Sequence, residues 1–304
     1  MKNEVRRSFI WCAWRCYKAR IALSILFIHK NFRGLFIRAL KQNACIEGVN
    51  GDLILKSKSI FGPAKTSISI PKDKAIYDEF MKSGYWSFST SYFISRLLKK
   101  MKNPLIVDFG AHVGLVSLQS IKMNSDNGKV IAVEALPNHF ASLQKNIDPE
   151  KIVALFGALV SDPHTRNVRM TVDTLNLGNS SALDEIVPKV LGRSYQIKVP
   201  AIPLNQVTSE INGSAFILKS DIQGHDAGVL ASLGDEFWSS CLGGVIEVNA
   251  HKHVDRRDVE KLLERFTNYR RLSWQPFSLG RVSEKKLLTF WTSASGLEKD
   301  IYFW

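Results

Sequence analysis

Two acids that end apolar runs are the residues of this sequence best suited to ligand binding. Asp108 ends the run "LIVD", and Gly110 and Gly114 follow it closely. Glu134 ends the run "VIAVE", about twenty residues after Gly114, a spacing typical of nucleotide-binding sites. Glycine lets a ligand approach the backbone, and an acid after the second strand accepts hydrogen bonds from ribose hydroxyls. The pattern predicts a nucleotide-type ligand; a glycine-rich packing turn is the alternative.

Charge indicates which nucleotide this would be. Dinucleotides favour Gly-x-Gly-x-x-Gly, in which a pyrophosphate lies on a helix N-terminus. Residues 108–114 read Asp-x-Gly-x-x-x-Gly instead. A carboxylate at Asp108 repels a pyrophosphate and suits the cationic amino-acid end of S-adenosylmethionine. We therefore expect S-adenosylmethionine as the cofactor, and a nicotinamide-dependent oxidoreductase is the alternative.

A second set of polar residues follows the run "AFILKSD". Methyl transfer from S-adenosylmethionine needs an aligned acceptor atom and, where that atom carries a proton, a group that removes it. Asp221 ends this run and is the first candidate base, and His225 is the second, close enough to pair with Asp221 or replace it. The alternatives are a helix cap for Asp221 and a surface position for His225. Lys219 alternates with Asp221 along the strand and faces either the substrate site or solvent.

The run "GGVIEVN" carries one further candidate. We expect Glu247 to hydrogen-bond a polar acceptor at the rim of the site. His251 and His253 follow it, and some methyltransferases use a metal ion to acidify the hydroxyl. A His-x-His pair on a loop without further clear ligands is typical of solvated residues, so we predict no metal.

Alternating strands and helices from residue 104 onward must position these residues. Continuous apolar strands separated by helices predict a mostly parallel sheet that is covered on both faces. Ligands of such sheets bind beyond the carboxyl ends of the strands, where the candidate residues fall. The last two predicted strands, "YRRLSWQ" and "KLLTFWTS", have no helix between them. They predict an antiparallel hairpin at one edge.

Six segments resemble, in order and spacing, the FkbM family of S-adenosylmethionine-dependent methyltransferases. They span roughly residues 80 to 250 and read "LIVDFGAHVGLVSL", "VIAVEALPNHFASLQKNI", "ALVSDP", "GNSSAL", "ILKSDIQGHDAGVL" and "VIEVN". The most specific is "LKSDIQGHDAGVL", which is similar to the family's Leu-Lys-Ile-Asp-(Val/Ile)-Glu-Gly-x-Glu block. The resemblance implies an α/β, Rossmann-like class I methyltransferase fold with a mostly parallel seven-stranded sheet. It also implies O-methylation of a hydroxyl, often on a sugar of a glycan, glycolipid or secondary metabolite.

The resemblance implies roles for individual residues as well. The donor-binding loop corresponds to Asp108, Gly110, Ala111 and Gly114, the ribose acid to Glu134, and the acid at the transfer site to Asp221. Ala158 stands where many class I methyltransferases place an acid near the adenine amine. That contact would fall to the backbone or to nearby Asp162.

The block around Asp221 departs from the family's pattern. Ser220 replaces an aliphatic residue, Gln223 replaces a Glu, and Asp226 replaces a later Glu. Gln223 cannot act as a base, so we expect it to orient substrate or backbone. A non-catalytic S-adenosylmethionine-binding protein that keeps the fold without turnover is the alternative.

Basic residues concentrate at the N-terminus. The net charge is +13, and residues 1–45 contain ten Lys or Arg and a single acid. Aromatic and aliphatic residues alternate with these cations, which predicts one or two basic amphipathic helices. The longest uncharged run, "IALSILFIH", is too short to span a bilayer. The arm either contacts an anionic membrane surface or a partner, or packs on the domain.

The chain therefore divides into three predicted parts: the basic arm (1–45), strands and helices that lead into the core (46–103), and the Rossmann-like domain (104–304). Four cysteines without zinc-site spacing indicate reduced thiols and a cytoplasmic protein, with membrane association through the arm left open. Nucleic-acid methylation would be permitted by the arm. However, no Asn/Asp-Pro-Pro-Tyr motif follows the fourth strand, so we predict a small-molecule or glycan acceptor. The oligomeric state is left open.

Overall fold

The computed structural model describes eleven stretches of the chain: residues 44–47, 53–58, 65–71, 76, 86–125, 127–174, 177–183, 194–249, 255–266, 269–271 and 298–304. The predicted arm lies outside them except for its last two residues. Most of the predicted helix "IPKDKAIYDEFMKSG", the strand "KLLTFWTS" and both His251 and His253 also lie outside the described residues.

The described strands and helices follow the predicted alternation from residue 104 onward. The strands are β1 (Ala44–Glu47), β2 (Leu53–Lys58), β3 (Lys65–Ile70), β4 (Leu105–Phe109), β5 (Lys129–Glu134), β6 (Ile152–Phe156), β7 (Ala158–Val160), β8 (Asn167–Asp173), β9 (Ser194–Pro203), β10 (Phe216–Ser220), β11 (Cys241–Asn249), β12 (Tyr269–Arg271) and β13 (Glu298–Phe303). The α-helices are α1 (Phe88–Leu98), α2 (Leu115–Met123), α3 (Pro137–Asn146), α4 (Leu204–Ile211), α5 (Asp226–Ala231), α6 (Asp235–Ser240) and α7 (Arg256–Glu264).

The central sheet has seven strands in the order β12-β13-β11-β10-β4-β5-β6. Strands β11, β10, β4, β5 and β6 pair in parallel, and β13 pairs antiparallel with both β11 and β12. This arrangement confirms the predicted mostly parallel sheet with an antiparallel edge. Because β4 lies between β10 and β5, the turn after β4 sits beside the ends of both neighbours.

The antiparallel edge differs from the prediction in its second strand. In the described part of the chain, β12 pairs with β13, which lies at residues 298–303 and not in "KLLTFWTS". The sequence signal for β13 is weak, because its first half is charged and only its last three residues are apolar. Those residues are buried, and the Tyr302 hydroxyl lies 3.0 Å from Thr90 Oγ1.

The apolar segment "KIVALFGALV" forms two strands, β6 and β7. Gly157 interrupts it with a φ of +151°, and a Cβ there would lie 2.6 Å from the carbonyl oxygen of Pro200. After this break, β7 leaves the central sheet and pairs in parallel with β9. Strand β8 pairs antiparallel with β9, and β1, β2 and β3 form a separate antiparallel sheet.

Helices cover both faces of the central sheet, as predicted. One face packs Val107, Leu218 and Ile246 against helices α4 to α7. The other face packs Ile106 and Ile217 against helices α1 to α3. Successive strand residues point to opposite faces, so strands buried on both sides are apolar throughout. This packing fixes the carboxyl ends of the five parallel strands along one edge.

Candidate functional site

A cavity of about 870 Å³ opens at the carboxyl ends of the parallel strands. Residues at the ends of β4, β5, β10 and β11 line it, among them Gly110, Glu134, Asp221 and Glu247. The other predicted site residues on its wall are Ala111, Ala158, Asp162, Lys219, Gln223 and His225. The structure thus brings together all the predicted site residues except two, Asp108 and Gly114.

Gly110 is required where it stands because backbone lies on both sides of it. Its φ is +72°, and a Cβ would lie 1.9 Å from the carbonyl oxygen of Asp221. The N–H groups of Gly110 and Ala111 both donate to the carbonyl oxygen of Val133, at 3.0 and 2.9 Å. The turn after β4 is therefore clamped between β5 and the end of β10.

Gly114 has a different role from the predicted ligand contact. It precedes α2 with a φ of +84°, and an added Cβ would lie 2.8 Å from the side chain of Leu143. Leu143 belongs to α3. Glycine at this position thus allows α2 and α3 to pack closely, and the residue lies away from the cavity wall.

Asp108 lies behind the cavity wall and not on it. Its side chain is 0% exposed, Oδ2 accepts a hydrogen bond from Ser117 Oγ at 2.6 Å, and Oδ1 lies 3.1 Å from Lys219 Nζ. Burial raises the pKa of this carboxyl, and Lys219 and Ser117 counter only part of that rise. An internal cation already pairs with Asp108, so the charge argument that set a cationic ligand group against it has no support here.

Lys219 is buried and faces the turn after β4. Its Nζ donates to the carbonyl oxygens of Phe109, at 3.3 Å, and Gly110, besides pairing with Asp108. Burial alone would lower the pKa of Lys219, but the carboxylates of Asp108 and Asp221 outweigh it and raise the pKa. Lys219 is therefore protonated and cannot serve as a base.

Glu134 is presented to the cavity as a carboxylate. Oε2 accepts the N–H of His112 at 2.7 Å, and Oε1 accepts the N–H of Leu136 at 2.8 Å. Burial alone would raise its pKa, but the nearby His139, 3.6 Å away, and the hydrogen bonds from these two backbone groups outweigh it and lower the pKa. An ionised, oriented carboxylate can still accept further hydrogen bonds from ligand hydroxyls.

Two histidines beside Glu134 were missed by the sequence analysis. The rings of His112 and His139 lie against each other, with their centroids 3.6 Å apart and their planes tilted by 40°, and both line the cavity. Burial lowers the pKa of His112 far below its usual value, and His139 and Lys219 lower it further. Each histidine follows a predicted ligand segment in the sequence, but no local pattern joins the two.

Asp162 occupies the cavity rim as an exposed residue. Its carboxylate accepts hydrogen bonds from the N–H of His164 at 3.0 Å and from Thr165 Oγ1 at 2.8 Å. These hydrogen bonds lower its pKa. Together with Ala158 it forms the part of the wall that the sequence analysis set beside the adenine.

Gln223 joins two carboxylates at the cavity wall. Its Nε2 donates to Asp221 Oδ1 at 2.8 Å and to Glu247 Oε2 at 3.3 Å. Its backbone is left-handed, with a φ of 53°, and its carbonyl oxygen accepts a hydrogen bond from Ser181 Oγ at 2.7 Å. An ionised Glu here could not donate to either carboxylate, so the departure from the family's pattern has a structural function.

Asp226 holds together the loop that carries Asp221. It accepts hydrogen bonds from Ser220 Oγ and, at 3.1 Å, from the N–H of Ile222. Burial raises the pKa of Asp226 to about 7, and the nearby Asp221 contributes. His225 precedes it on the cavity wall; burial lowers its pKa, so the imidazole is neutral at pH 7.

Two properties concern the described residues as a whole. No group of three or more His, Cys, Asp or Glu side chains among them is arranged to hold a metal ion. Within the same stretches, no helix has the length and apolar character needed to cross a membrane.

Residues 108–271 match the Methyltransferase FkbM domain, which is more than half of the chain. The chain belongs to the FkbM methyltransferase family. No curated protein sequence matches it. FkbM membership supports methyltransferase activity with S-adenosylmethionine as the cofactor, and the seven-stranded sheet described above has the class I methyltransferase fold.

Several solved structures are similar to this FkbM chain. The methyltransferase FkbM from Methylobacillus flagellatus KT is 14% identical, with a TM-score of 0.42; the match covers 72% of this chain and 48% of that one. The present chain thus spans about half the length of that protein. An O-methyltransferase from Bacillus cereus in complex with SAH is 14% identical over 77% of this chain and 91% of that one, with a TM-score of 0.37. Aeropyrum pernix fibrillarin, bound to S-adenosyl-L-methionine, is 11% identical, with a TM-score of 0.36. The match covers 86% of this chain and 93% of that one. These TM-scores are low, so the family assignment rests on the match to the Methyltransferase FkbM domain.

The residues of the cavity fit the cofactor of the FkbM family. Gly110 and Ala111 bring the turn after β4 to the cavity wall, and Glu134 presents an ionised carboxylate suited to ribose hydroxyls. The volume falls within the range typical of cofactor sites. Residues that would hold S-adenosylmethionine are Gly110, Ala111, Glu134 and the wall from Ala158 to Asp162.

Proposed function

We propose that this chain transfers a methyl group from S-adenosylmethionine to a hydroxyl on a sugar of a glycan, a glycolipid or a secondary metabolite. The observation that carries the proposal is the pair of carboxylates, Asp221 and Glu247, that one amide joins on the wall of the donor cavity. When bound, the cofactor supplies an electrophilic methyl group on a sulfonium. The remaining requirement is a residue that orients the acceptor hydroxyl and takes its proton.

Asp221 is the residue we assign to proton removal. It follows β10 and lines the same cavity as Gly110 and Glu134. Lys219 is protonated and engaged with Asp108, so it is not the base. His225 is neutral at pH 7 and is the second candidate.

The position of Glu247 favours an acceptor molecule that carries several hydroxyls. It stands on β11, next to β10, and Gln223 holds its carboxylate in the same cluster as that of Asp221. Two carboxylates in one cluster can accept hydrogen bonds from two hydroxyls of one acceptor molecule. A sugar offers adjacent hydroxyls of this kind. The resemblance to glycan-modifying methyltransferases points to the same class of acceptor.

The first test separates methyl-donor binding from nicotinamide binding. The purified full-length chain is titrated calorimetrically with S-adenosylhomocysteine, NAD and NADH in separate experiments. We expect binding of S-adenosylhomocysteine alone. Binding of NADH, or of none of the three, would overturn the proposed function.

The second test concerns transfer. The chain is incubated with methyl-labelled S-adenosylmethionine and a panel of methyl glycosides of hexoses and deoxyhexoses, and the product is located by NMR. Asp221→Asn should lower kcat by about 10²–10⁴-fold, the range typical of a lost general base, and leave S-adenosylhomocysteine affinity close to wild type. The matched control is Glu236→Gln, on the exposed part of α6. Undiminished transfer by Asp221→Asn, or a methyl group found on nitrogen or carbon, would contradict the assignment.

A further inference from the structure

We propose that Lys219 is a positioning residue for the methyl donor, which acts by fixing the turn at Phe109 and Gly110 and makes no contact with the ligand through its ammonium. The inference rests on the donor-binding part of the proposed function. It assigns a role to the buried ion pair of Lys219 with Asp108. From the sequence, Asp108 was expected to contact the donor, and Lys219 to face either the substrate site or solvent.

The ammonium group of Lys219 is directed at the turn and at Asp108. Nζ donates to the Phe109 carbonyl oxygen at 3.3 Å and to the Gly110 carbonyl oxygen. It also forms an ion pair with Asp108 Oδ1 at 3.1 Å, and the side chain is 8% exposed. Its hydrogen bonds go to backbone and its charge to Asp108, so Lys219 acts on a ligand through the backbone that it holds.

The backbone held by Lys219 is the turn after β4, which reaches the cavity wall at Gly110. From the β5 side, Val133 fixes Gly110 and Ala111 through their N–H groups. From the β10 side, the N–H of Asp221 donates to the Phe109 carbonyl oxygen at 3.0 Å. Lys219 donates to the same oxygen and to the carbonyl oxygen of Gly110. Without Lys219, the Gly110 carbonyl loses its described partner, and on the β10 side the turn is held only through the Asp221 N–H at Phe109.

Asp108 has a matching function in this pair. A buried lysine without a counter-ion tends to lose its proton, and a neutral amine would be a poorer donor to two carbonyl oxygens. Asp108 keeps Lys219 charged, and the pair together is neutral. A cationic donor such as S-adenosylmethionine therefore meets fixed backbone at Gly110 with no net charge behind it.

Replacing both charges separates positioning from simple stabilisation of the fold. Removing one partner of a buried ion pair leaves an unpaired charge, whereas replacing both by uncharged residues of similar volume is often tolerated. The test variant is therefore the double substitution Asp108→Asn with Lys219→Met, measured beside the two single variants. Glu236→Gln is the exposed control.

The experiment measures thermal unfolding and calorimetric binding of S-adenosylhomocysteine for each variant. We expect the double variant to unfold cooperatively near the wild-type temperature and to bind S-adenosylhomocysteine at least about 10-fold more weakly, because the Gly110 carbonyl is no longer held. The single variants should lose both stability and affinity. A double variant with wild-type affinity would overturn the inference, since the pair would then serve the fold alone.

A second variant covers the case in which the double substitution does not fold. Lys219→Arg keeps the charge opposite Asp108, but its planar guanidinium cannot reproduce the compact three-donor geometry of an ammonium. We expect a folded protein with at least about 10-fold weaker S-adenosylhomocysteine binding. Wild-type affinity in this variant would overturn the inference. Failure of the wild-type chain to bind S-adenosylhomocysteine would overturn the proposed function as well, so the two failures are distinguishable.

Discussion

Neighbouring side chains set the charge of each ionisable residue in the cavity. Glu134 has a lowered pKa because its hydrogen-bond donors outweigh burial, whereas Asp226 has a raised pKa because burial and the charge of Asp221 dominate. Lys219 is buried as well, yet it stays protonated beside Asp108. Similar burial therefore gives an ionised acid, an acid with a pKa of about 7 and a protonated base, which is a pattern that active sites use to separate roles.

The raised pKa of Asp226 predicts a pH dependence of stability. The pKa is about 7 in the folded chain against a usual value of 3.8, so between these values only the unfolded chain releases the proton. The free energy of unfolding should therefore fall as pH rises from about 4 to about 7, by on the order of a few kcal/mol. In Asp226→Asn this contribution should vanish, while the hydrogen bonds from Ser220 and Ile222 keep an acceptor.

Urea unfolding at intervals between pH 4 and pH 8 measures the effect. The difference in free energy of unfolding between wild type and Asp226→Asn should change across this pH range. The same difference for Glu236→Gln, an exposed acid, should change little. Parallel stability curves for wild type and Asp226→Asn would mean that the buried carboxyl ionises normally.

The turn between β4 and α2 connects the sheet to the cavity. It contains Gly110, whose missing Cβ allows the end of β10 to approach within van der Waals contact of the backbone. It also contains Gly114, where the same absence allows α2 and α3 to pack. One short segment therefore satisfies a requirement of the site and a requirement of the core.

Gly110→Ala should lower the free energy of unfolding by about 4 kcal/mol or more, because the new Cβ would meet backbone that cannot move aside. The matched control is Gly213→Ala. Gly213 has a similar φ of +67°, but no heavy atom lies within 4 Å of an added Cβ. That variant should lose only about 1 kcal/mol from the strained backbone. Chemical denaturation of both gives the comparison, and equal losses would show that the close approach at Gly110 is unimportant.

The whole molecule forms one cavity from residues far apart in the chain. The parallel strands bring Gly110, Glu134, Asp221 and Glu247 to one edge of the sheet, and β13 adds Asp300 to the same wall. A ligand that fills such a cavity contacts several elements at once. Binding should therefore stabilise the fold as a unit by mass action.

At about 100 times its dissociation constant, S-adenosylhomocysteine should stabilise the chain by about 2.7 kcal/mol and raise the melting temperature by roughly 5 °C or more. Glu134→Gln should abolish most of this increase. An amide cannot accept from both His112 and Leu136 and still offer a carboxylate to the ribose. Differential scanning fluorimetry with a ligand series measures the increase, and an unchanged shift in Glu134→Gln would remove Glu134 from the donor site.

The sequence by itself determined the fold class and placed all the predicted site residues except Asp108 and Gly114 on the cavity wall. Glu134, Asp221 and Glu247 were predicted there because apolar strands that alternate with helices place their carboxyl ends at one edge. The glycines were predicted because only glycine allows such a turn. These inferences depend on local pattern and on rules shared by parallel sheets, and both can be read along the chain.

Only the tertiary structure decided which of these residues face a ligand and which face one another. Asp108 pairs with Lys219, His112 lies against His139, and Gln223 joins Asp221 to Glu247. The insertion of β13 between β11 and β12 is of the same kind. Each is a contact between segments whose distance in space does not follow from their separation along the sequence. Sheet order and side-chain packing set that distance, and neither leaves a periodic signal in the sequence.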